Sequence, residues 1–242
     1  MTHRNLVILT GAGISAESGV PTFRASDGLW MGHRIEDVAT PEAFARDPAQ
    51  VQDFYNQRRR LLATVVPNAA HIALAELAAR WQGEFLLVTQ NVDDLHDRAH
   101  VEAPPAAGFD LIHMHGELLK ARCTVSGSVS DWPGALATDQ PSPHHPRGTL
   151  RPHIVWFGEI PLQMERIEAA LEACDLFLSV GTSGAVWSAA GFVEIARAAG
   201  AQTVEFDLAP TSGSHRFDLG LYGPATRTLP PFLAQLNSDA IV

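Results

Sequence analysis

The sequence predicts an α/β fold: a Rossmann-like, doubly wound parallel sheet with a smaller inserted lobe. Three observations carry this. Short, continuous apolar runs recur along the chain, the mark of strands buried on both faces. Helical patterns separate most of them, as parallel strands require. Glycine-rich or polar clusters follow the runs, and ligands of such sheets sit beyond the carboxyl ends of strands.

The elements follow in order. Leu6-Val7-Ile8-Leu9-Thr10 is the first apolar run and breaks into Gly11-Ala12-Gly13-Ile14-Ser15-Ala16. Residues 85–89 lead into Gln90-Asn91-Val92-Asp93, and residues 111–114 into His115-Gly116. Residues 176–180 lead into Gly181-Thr182-Ser183-Gly184, and residues 202–206 into Asp207. Residues 71–81 are rich in Ala and Leu at i, i+3, i+4 spacing and predict a helix, as do residues 164–173 and 188–199. Two stretches break the alternation. One, about 32–70, has a helical pattern and contains Phe54-Tyr55-Asn56-Gln57-Arg58-Arg59-Arg60. The other, about 117–151, is rich in Gly, Pro, Ser and Thr. These are the expected small lobe of a single catalytic-type domain, with the large lobe from about 1–31, 71–116 and 152–242.

Composition narrows the function classes. A chain of 242 residues with 46% hydrophobic content buries a sizeable core. A net charge of −10 argues against sequence-independent nucleic-acid binding, which neutralises phosphates with Lys and Arg. Two cysteines, Cys123 and Cys174, make no disulfide framework. The apolar start is too short for a secretory signal, and no apolar run approaches the ~20 residues that span a bilayer. The expectation is a cytoplasmic protein that binds neither nucleic acid nor membrane.

The Gly11-x-Gly13-x-x-Ala16 loop after a buried strand predicts dinucleotide binding. Glycine permits a tight turn and lets backbone N–H groups approach a pyrophosphate, and a helix N-terminus behind it would favour the negative charge. A dehydrogenase would add an acidic residue after a second strand, about 20 residues on. Glu36 and Asp37 stand near that distance without a convincing strand before them, and Asp207 is the better candidate for a ribose hydroxyl.

The loop continues through Glu17-Ser18-Gly19-Val20-Pro21-Thr22-Phe23-Arg24. Later come Thr89-Gln90-Asn91-Val92-Asp93, His113-Met114-His115-Gly116-Glu117-Leu118, Val155-Trp156-Phe157-Gly158-Glu159 and Gly181-Thr182-Ser183. This ordered set resembles the sirtuin family of NAD⁺-dependent protein lysine deacylases, over almost the whole chain. The resemblance implies that Gly11, Ala12, Gly13, Glu17, Phe23, Arg24 and Trp30 line the NAD site, Phe23 and Arg24 on a mobile loop. Gln90, Asn91 and Asp93 would surround the nicotinamide and its ribose, with His115 as catalytic base. Gly181, Thr182 and Ser183 would hold phosphate and ribose, and Asp207 and Ala225 would flank the adenosine. The family usually has Asn where Asp207 stands, and a carboxylate accepts hydrogen bonds without donating as an amide does.

The resemblance also implies the chemistry. The acyl-lysine amide oxygen would attack C1′ of the nicotinamide ribose. Because it is a poor nucleophile, positioning must supply much of the acceleration. Nicotinamide would leave, and a histidine titrating near neutrality suits activation of a ribose hydroxyl in the next step. The products would be free lysine, nicotinamide and O-acyl-ADP-ribose. His113 and His115 share a strand face at period 2, so only the Gly116-Glu117-Leu118 that follows assigns the role to His115. Asn91 and Asp93 could instead cap a helix.

Tyr55 and Arg58, three apart on an expected helix, share one face. Arg pairs bidentately with carboxylates, and Tyr adds one phenolic donor. The pair matches the sirtuin class, here of bacterial type, that removes malonyl, succinyl and glutaryl groups. Ala39 matches the small residue that widens its acyl pocket. The bland alternative is that residues 58–60 form a solvated basic face. An acylated peptide is expected to add as a strand near Val155, Phe157 and Gly158 and near residues 184–187.

The family usually carries two Cys-x-x-Cys pairs around zinc. This chain has only Cys123 in that region, and adjacent His144 and His145 complete a poor tetrahedral set, so no metal is expected. Trp132, Trp156 and prolines would hold the insert instead. Competing readings are a protein mono-ADP-ribosyltransferase, a non-catalytic NAD- or acyl-lysine-binding module, and a dehydrogenase.

Overall fold

A computed structural model describes residues 4–22, 29–30, 32–182 and 191–236. Strand β1 (Leu6–Thr10) runs into the short helix α1 (Ala12–Ser15). A hairpin of β2 (Leu29–Trp30) and β3 (His33–Arg34) precedes three helices, α2 (Ile35–Val38), α3 (Pro41–Arg46) and α4 (Pro48–Leu62). Helix α5 (Ala69–Arg80), β4 (Phe85–Thr89), α6 (Leu95–Glu102) and β5 (Phe109–His113) follow. Then come β6 (Gly116–Cys123), β7 (Val129–Asp131) and β8 (Leu150–Ile154). The chain closes with α7 (Met164–Glu172), β9 (Leu176–Val180), α8 (Phe192–Ala198), β10 (Gln202–Asp207), β11 (Leu219–Tyr222) and α9 (Ala225–Gln235).

The main sheet is six-stranded and parallel throughout, in the order β11-β10-β9-β1-β4-β5. β1, β4 and β9 are buried at every position, as their unbroken apolar runs require. Alternate residues serve opposite faces. Leu6 and Ile8 join the core under α5 and α9, with Leu74, Leu77, Leu229 and Leu233. Val7 and Leu9 join the core under α7 and α8, with Ile167, Leu171, Phe192 and Val193. The sheet is therefore doubly wound, as expected.

Helix α5 begins two residues before the expected 71, because Asn68 caps it by accepting from the Ala70 amide at 2.9 Å. The Asn68 amide also donates to the Ile14 carbonyl at 2.8 Å, tying α5 to the glycine loop. β5 starts at Phe109, earlier than the expected 111, and residues 188–190 of the expected late helix lie outside the described residues.

The stretch 117–151, for which no element was expected, contains antiparallel strands. β6 pairs with both β7 and β8. Helix α4 grips this small sheet through side chain-to-backbone hydrogen bonds. Gln52 Nε2 donates to the Leu150 carbonyl at 2.9 Å and Arg59 Nε to the Leu118 carbonyl at 2.9 Å. Asn56 both donates to the Leu136 carbonyl and accepts from its amide, each at 2.9 Å. The alternative of a solvated face at residues 58–60 holds for Arg60 alone: Arg58 and Arg59 are buried, Arg59 through its hydrogen bond to β6.

Candidate active site

Register brings the site together. Thr10 pairs with Thr89 on one side and Val180 on the other, Thr89 pairs with His113, and Val180 with Phe206. Gly11, Gln90, Met114-His115, Gly181 and Asp207 therefore emerge at one level. The sheet's strand order reverses between β1 and β9, where ligands of open α/β sheets bind.

At that crevice two loops interlock. The Gly11 amide donates to the Val180 carbonyl and the Gly13 amide to the Gly181 carbonyl, each at 2.9 Å. A Cβ on Gly13 would lie 2.6 Å from Gly181 Cα. Gly181 is left-handed, at φ +63°, and its own Cβ would lie 2.6 Å from the Ile14 amide nitrogen. Both glycines are thus demanded by chain-to-chain contact as well as by any ligand. The helix expected behind the loop is only four residues long and passes into a single 3-10 turn, which the left-handed Gly19 ends.

Below the loop lies a buried polar network. Ser15 donates to the Asp93 carboxylate at 3.0 Å and accepts from the Asn91 amide at 3.1 Å. Asn91 Nδ2 also donates to the Gly11 carbonyl at 3.1 Å. His71 Nδ1 accepts the Asn68 amide at 3.4 Å, which fixes its tautomer, so Nε2 donates to Ser15 at 3.4 Å. The His71 ring lies 4.9 Å from that of His96, whose Nε2 pairs with Thr10 Oγ1 at 3.0 Å. Burial, then the Arg98 charge, pushes His71 down to about 4. Burial pushes His96 well below the usual histidine range, with the neighbouring histidines adding to it. Asp93 is raised by burial, against the pull of the Leu95 amide and the Ser15 hydroxyl. The network is therefore neutral at its histidines near pH 7.

His115 and His113, alike in sequence, differ in surroundings. His115 Nδ1 donates to the Gln90 carbonyl at 3.1 Å, which leaves Nε2 as the basic nitrogen. Burial lowers its pKa, against that hydrogen bond. His113 Nε2 pairs with Asp97 at 3.0 Å. Burial opposes its charge, but the Asp97 hydrogen bond and charge outweigh it, and its pKa is raised. Gln90 Nε2 is buried with no hydrogen-bond partner among the described residues.

Ala39, Phe54, Tyr55, Leu118 and Trp156 form one buried cluster at the edge of the small lobe. Tyr55 is fully buried, and its hydroxyl accepts from Trp156 Nε1 at 3.0 Å. Burial pushes its pKa up to about 12, against the Arg58 charge. Arg58 lies over the Phe54 ring at 5.6 Å. Burial lowers it to about 10, against the charges of Tyr55 and Asp93. Arg58 therefore stays a cation at pH 7, within electrostatic reach of the Asn91–Asp93 network. The Ala39 carbonyl accepts the Phe157 amide at 3.0 Å and the His115 carbonyl the Val155 amide at 2.9 Å, which ties this cluster to the His115 strand end. Phe157 and Gly158 are exposed beside it.

The remaining residues spread along the sheet's carboxyl edge. Exposed Glu17 accepts from the Thr226 amide at 3.0 Å and hydroxyl at 2.7 Å, and so caps α9, which starts at Ala225. Thr182 Oγ1 meets Ser179 Oγ at 3.0 Å. Asp207 ends β10, and burial, then the Glu205 charge, raises its carboxyl against the Leu208 amide. Ala12 sits in the first turn of α1. Phe23, Arg24, Ser183, the side chain of Trp30 and residues 184–187 lie outside the described residues.

Cys123 ends β6, buried with Ala121, Leu136 and Leu150, and Trp132 packs against that cluster. Cys174 lies in the sheet core. Among the described residues no group of three or more His, Cys, Asp or Glu gathers as a metal site. None of the described helices is long and apolar enough to cross a membrane.

A doubly wound sheet with interlocked glycine loops at its strand switch point, and a buried Asn–Asp pair and a histidine at the ends of its strands, defines a dinucleotide-using α/β enzyme. The Sir2 family model matches residues 11–188, and the chain belongs to the Sir2 family. It is 54% identical over 233 residues to an NAD-dependent protein deacylase of Pasteurella multocida, covering 95% of this chain and 97% of that protein. An NAD-dependent protein deacylase of Vibrio vulnificus is 52% identical over 243 residues, covering 97% of this chain and 94% of that protein. Among solved structures, a Sir2 homologue in complex with NAD is 37% identical, with a TM-score of 0.81 over 95% of this chain and 88% of its own.

Proposed function

We propose that this Sir2-family enzyme, an NAD-dependent protein deacylase, removes succinyl and malonyl groups, and acetyl groups as well, from lysine side chains. The products are nicotinamide and O-acyl-ADP-ribose. The observation that carries the acyl preference is Arg58, a buried cation on the same face of α4 as Tyr55, which shares a buried cluster with Ala39. A guanidinium presents a planar fork that pairs bidentately with the terminal carboxylate of a succinyl or malonyl group, a contact an acetyl group lacks. In the proposed division into a large and a small lobe, the acyl pocket would lie at their junction.

The protein groups present fit NAD⁺. The Gln90 amide offers a buried donor with no protein partner among the described residues, and the glycine loops hold backbone against backbone at the strand switch. Gly11, Ala12, Gly13, Gly181, Thr182, Asp207 and Ala225 would hold the dinucleotide, with Glu17 fixing α9 behind it. Bound NAD⁺ supplies an electrophilic ribose carbon and a nicotinamide leaving group. Asn91 and Asp93, locked by Ser15, orient the carboxamide end and a water. His115, held by Nδ1 and kept neutral by burial, takes a hydroxyl proton at Nε2.

The acylated peptide pairs as a strand beside Val155, Phe157 and Gly158. The amides of Val155, Trp156, Phe157 and Glu159 already donate within the protein, so carbonyls and Gly158 supply the pairing. A cytoplasmic place of action fits the two free cysteines.

The test is product analysis with succinyl- and acetyl-lysine peptides of one sequence. O-succinyl-ADP-ribose with free lysine supports the reading. ADP-ribose attached to protein would replace it with mono-ADP-ribosyl transfer.

A further inference from the structure

Trp156 stands directly behind Tyr55. Its indole nitrogen can only donate, so at 3.0 Å the Tyr55 oxygen must be the acceptor. The Tyr55 proton is then directed away from the indole. Trp156 has little freedom to release this contact. The Arg151 guanidinium lies 3.4 Å from its ring centroid, and Phe44 packs at 5.3 Å. Arg151 grips Glu159 with two hydrogen bonds of 2.8 Å, and Glu159 accepts the Trp156 backbone amide at 2.8 Å. Trp156 and Tyr55 are both almost fully buried, so no bulk water competes for the hydroxyl.

We propose that Trp156 is a specificity-determining positioning residue: by donating to the Tyr55 oxygen, its indole N–H turns the Tyr55 proton toward the carboxylate of the substrate acyl group. The inference rests on the acidic-acyl reading above. The phenol stays protonated, since burial keeps it far from ionising near neutrality. Tyr55 is therefore a fixed donor rather than a rotor that samples both directions. An acetyl group has no carboxylate to receive that proton, so the effect is confined to acidic acyl groups.

The experiment compares Trp156→Phe with the wild-type enzyme on succinyl- and acetyl-lysine peptides, reading kcat/KM for each. Phenylalanine keeps an aromatic surface for Arg151 and removes the N–H together with one ring of the indole, a loss of packing that both substrates share. The ratio of desuccinylation to deacetylation is expected to fall about five- to tenfold, the worth of one positioned hydrogen bond, mostly through KM. In a Tyr55→Phe background the same change is expected to leave the ratio unaltered, because the hydroxyl through which Trp156 acts is gone. Equal loss of both activities, or an undiminished effect in the Tyr55→Phe background, would overturn the inference while leaving the acyl assignment standing. A wild-type enzyme that deacetylates but does not desuccinylate would overturn both.

Discussion

Ser15 and Asp93, 78 positions apart in the chain, meet at 3.0 Å beneath the candidate active site, with Ser15 donating. The same hydroxyl oxygen accepts from Asn91 and His71, so one small side chain aligns three others. Replacing Ser15 by Ala removes all three contacts and leaves buried polar groups unmatched. The variant is expected to lose about 2 kcal/mol of stability and about a hundredfold in nicotinamide release through misplaced Asn91 and Asp93. Thermal unfolding and nicotinamide assay check this, and unchanged nicotinamide release would refute the positioning role.

The strands and the motif-bearing loops were legible because burial on both faces writes itself as a continuous apolar run. Residues 85–89 and 176–180 are strands over the expected span. β11, only four residues at a sheet edge with a glycine, leaves no such mark. β6 hid because its register shifts between Glu117 and Ala121, which breaks the alternation a reader would seek. In the site, Asn91, Asp93 and His115 stand at strand ends and could be named from motif alone. Ser15 lay in a quoted motif without a role, Trp156 was named only as packing for the insert, and His71 and His96 gave no signal. Their partners lie 56, 86 and 101 positions away, distances at which sequence spacing says nothing.

His71 makes stability depend on pH. Its folded pKa of about 4 lies below the unfolded value of 6.5, so the unfolded state binds the proton first as pH falls. Its contribution is full above pH 6.5 and is lost progressively toward pH 4. At pH 5 the loss is about 2 kcal/mol. Denaturant unfolding at pH 7 and pH 5 is expected to show a smaller difference in His71→Asn than in wild type. Equal differences in the two proteins would remove the assignment.

Arg58→Met removes the buried cation with little change in volume. Desuccinylation is expected to fall at least a hundredfold, the scale of a charge-assisted bidentate contact, while deacetylation persists. Parallel loss of both activities would reduce Arg58 to a structural role.

Asn56 ties the loop that carries Leu136 to α4 with two hydrogen bonds. Asn56→Ala is expected to speed amide hydrogen exchange around residues 132–140 and to cost about 2 kcal/mol. Purified wild-type enzyme is expected to lack stoichiometric zinc and to keep its Tm in chelator. Tightly held zinc that disappears in Cys123→Ser would contradict this account of the small lobe.

The central claim is most directly tested by mass spectrometry of succinyl-lysine and acetyl-lysine peptides incubated with the enzyme, with and without NAD⁺, beside the His115→Tyr variant. NAD⁺-dependent loss of both acyl groups, abolished by the substitution, is the expected result. Loss of acetyl alone would contradict the acidic-acyl pocket, and loss of neither from folded, NAD⁺-binding protein would contradict the deacylase reading itself.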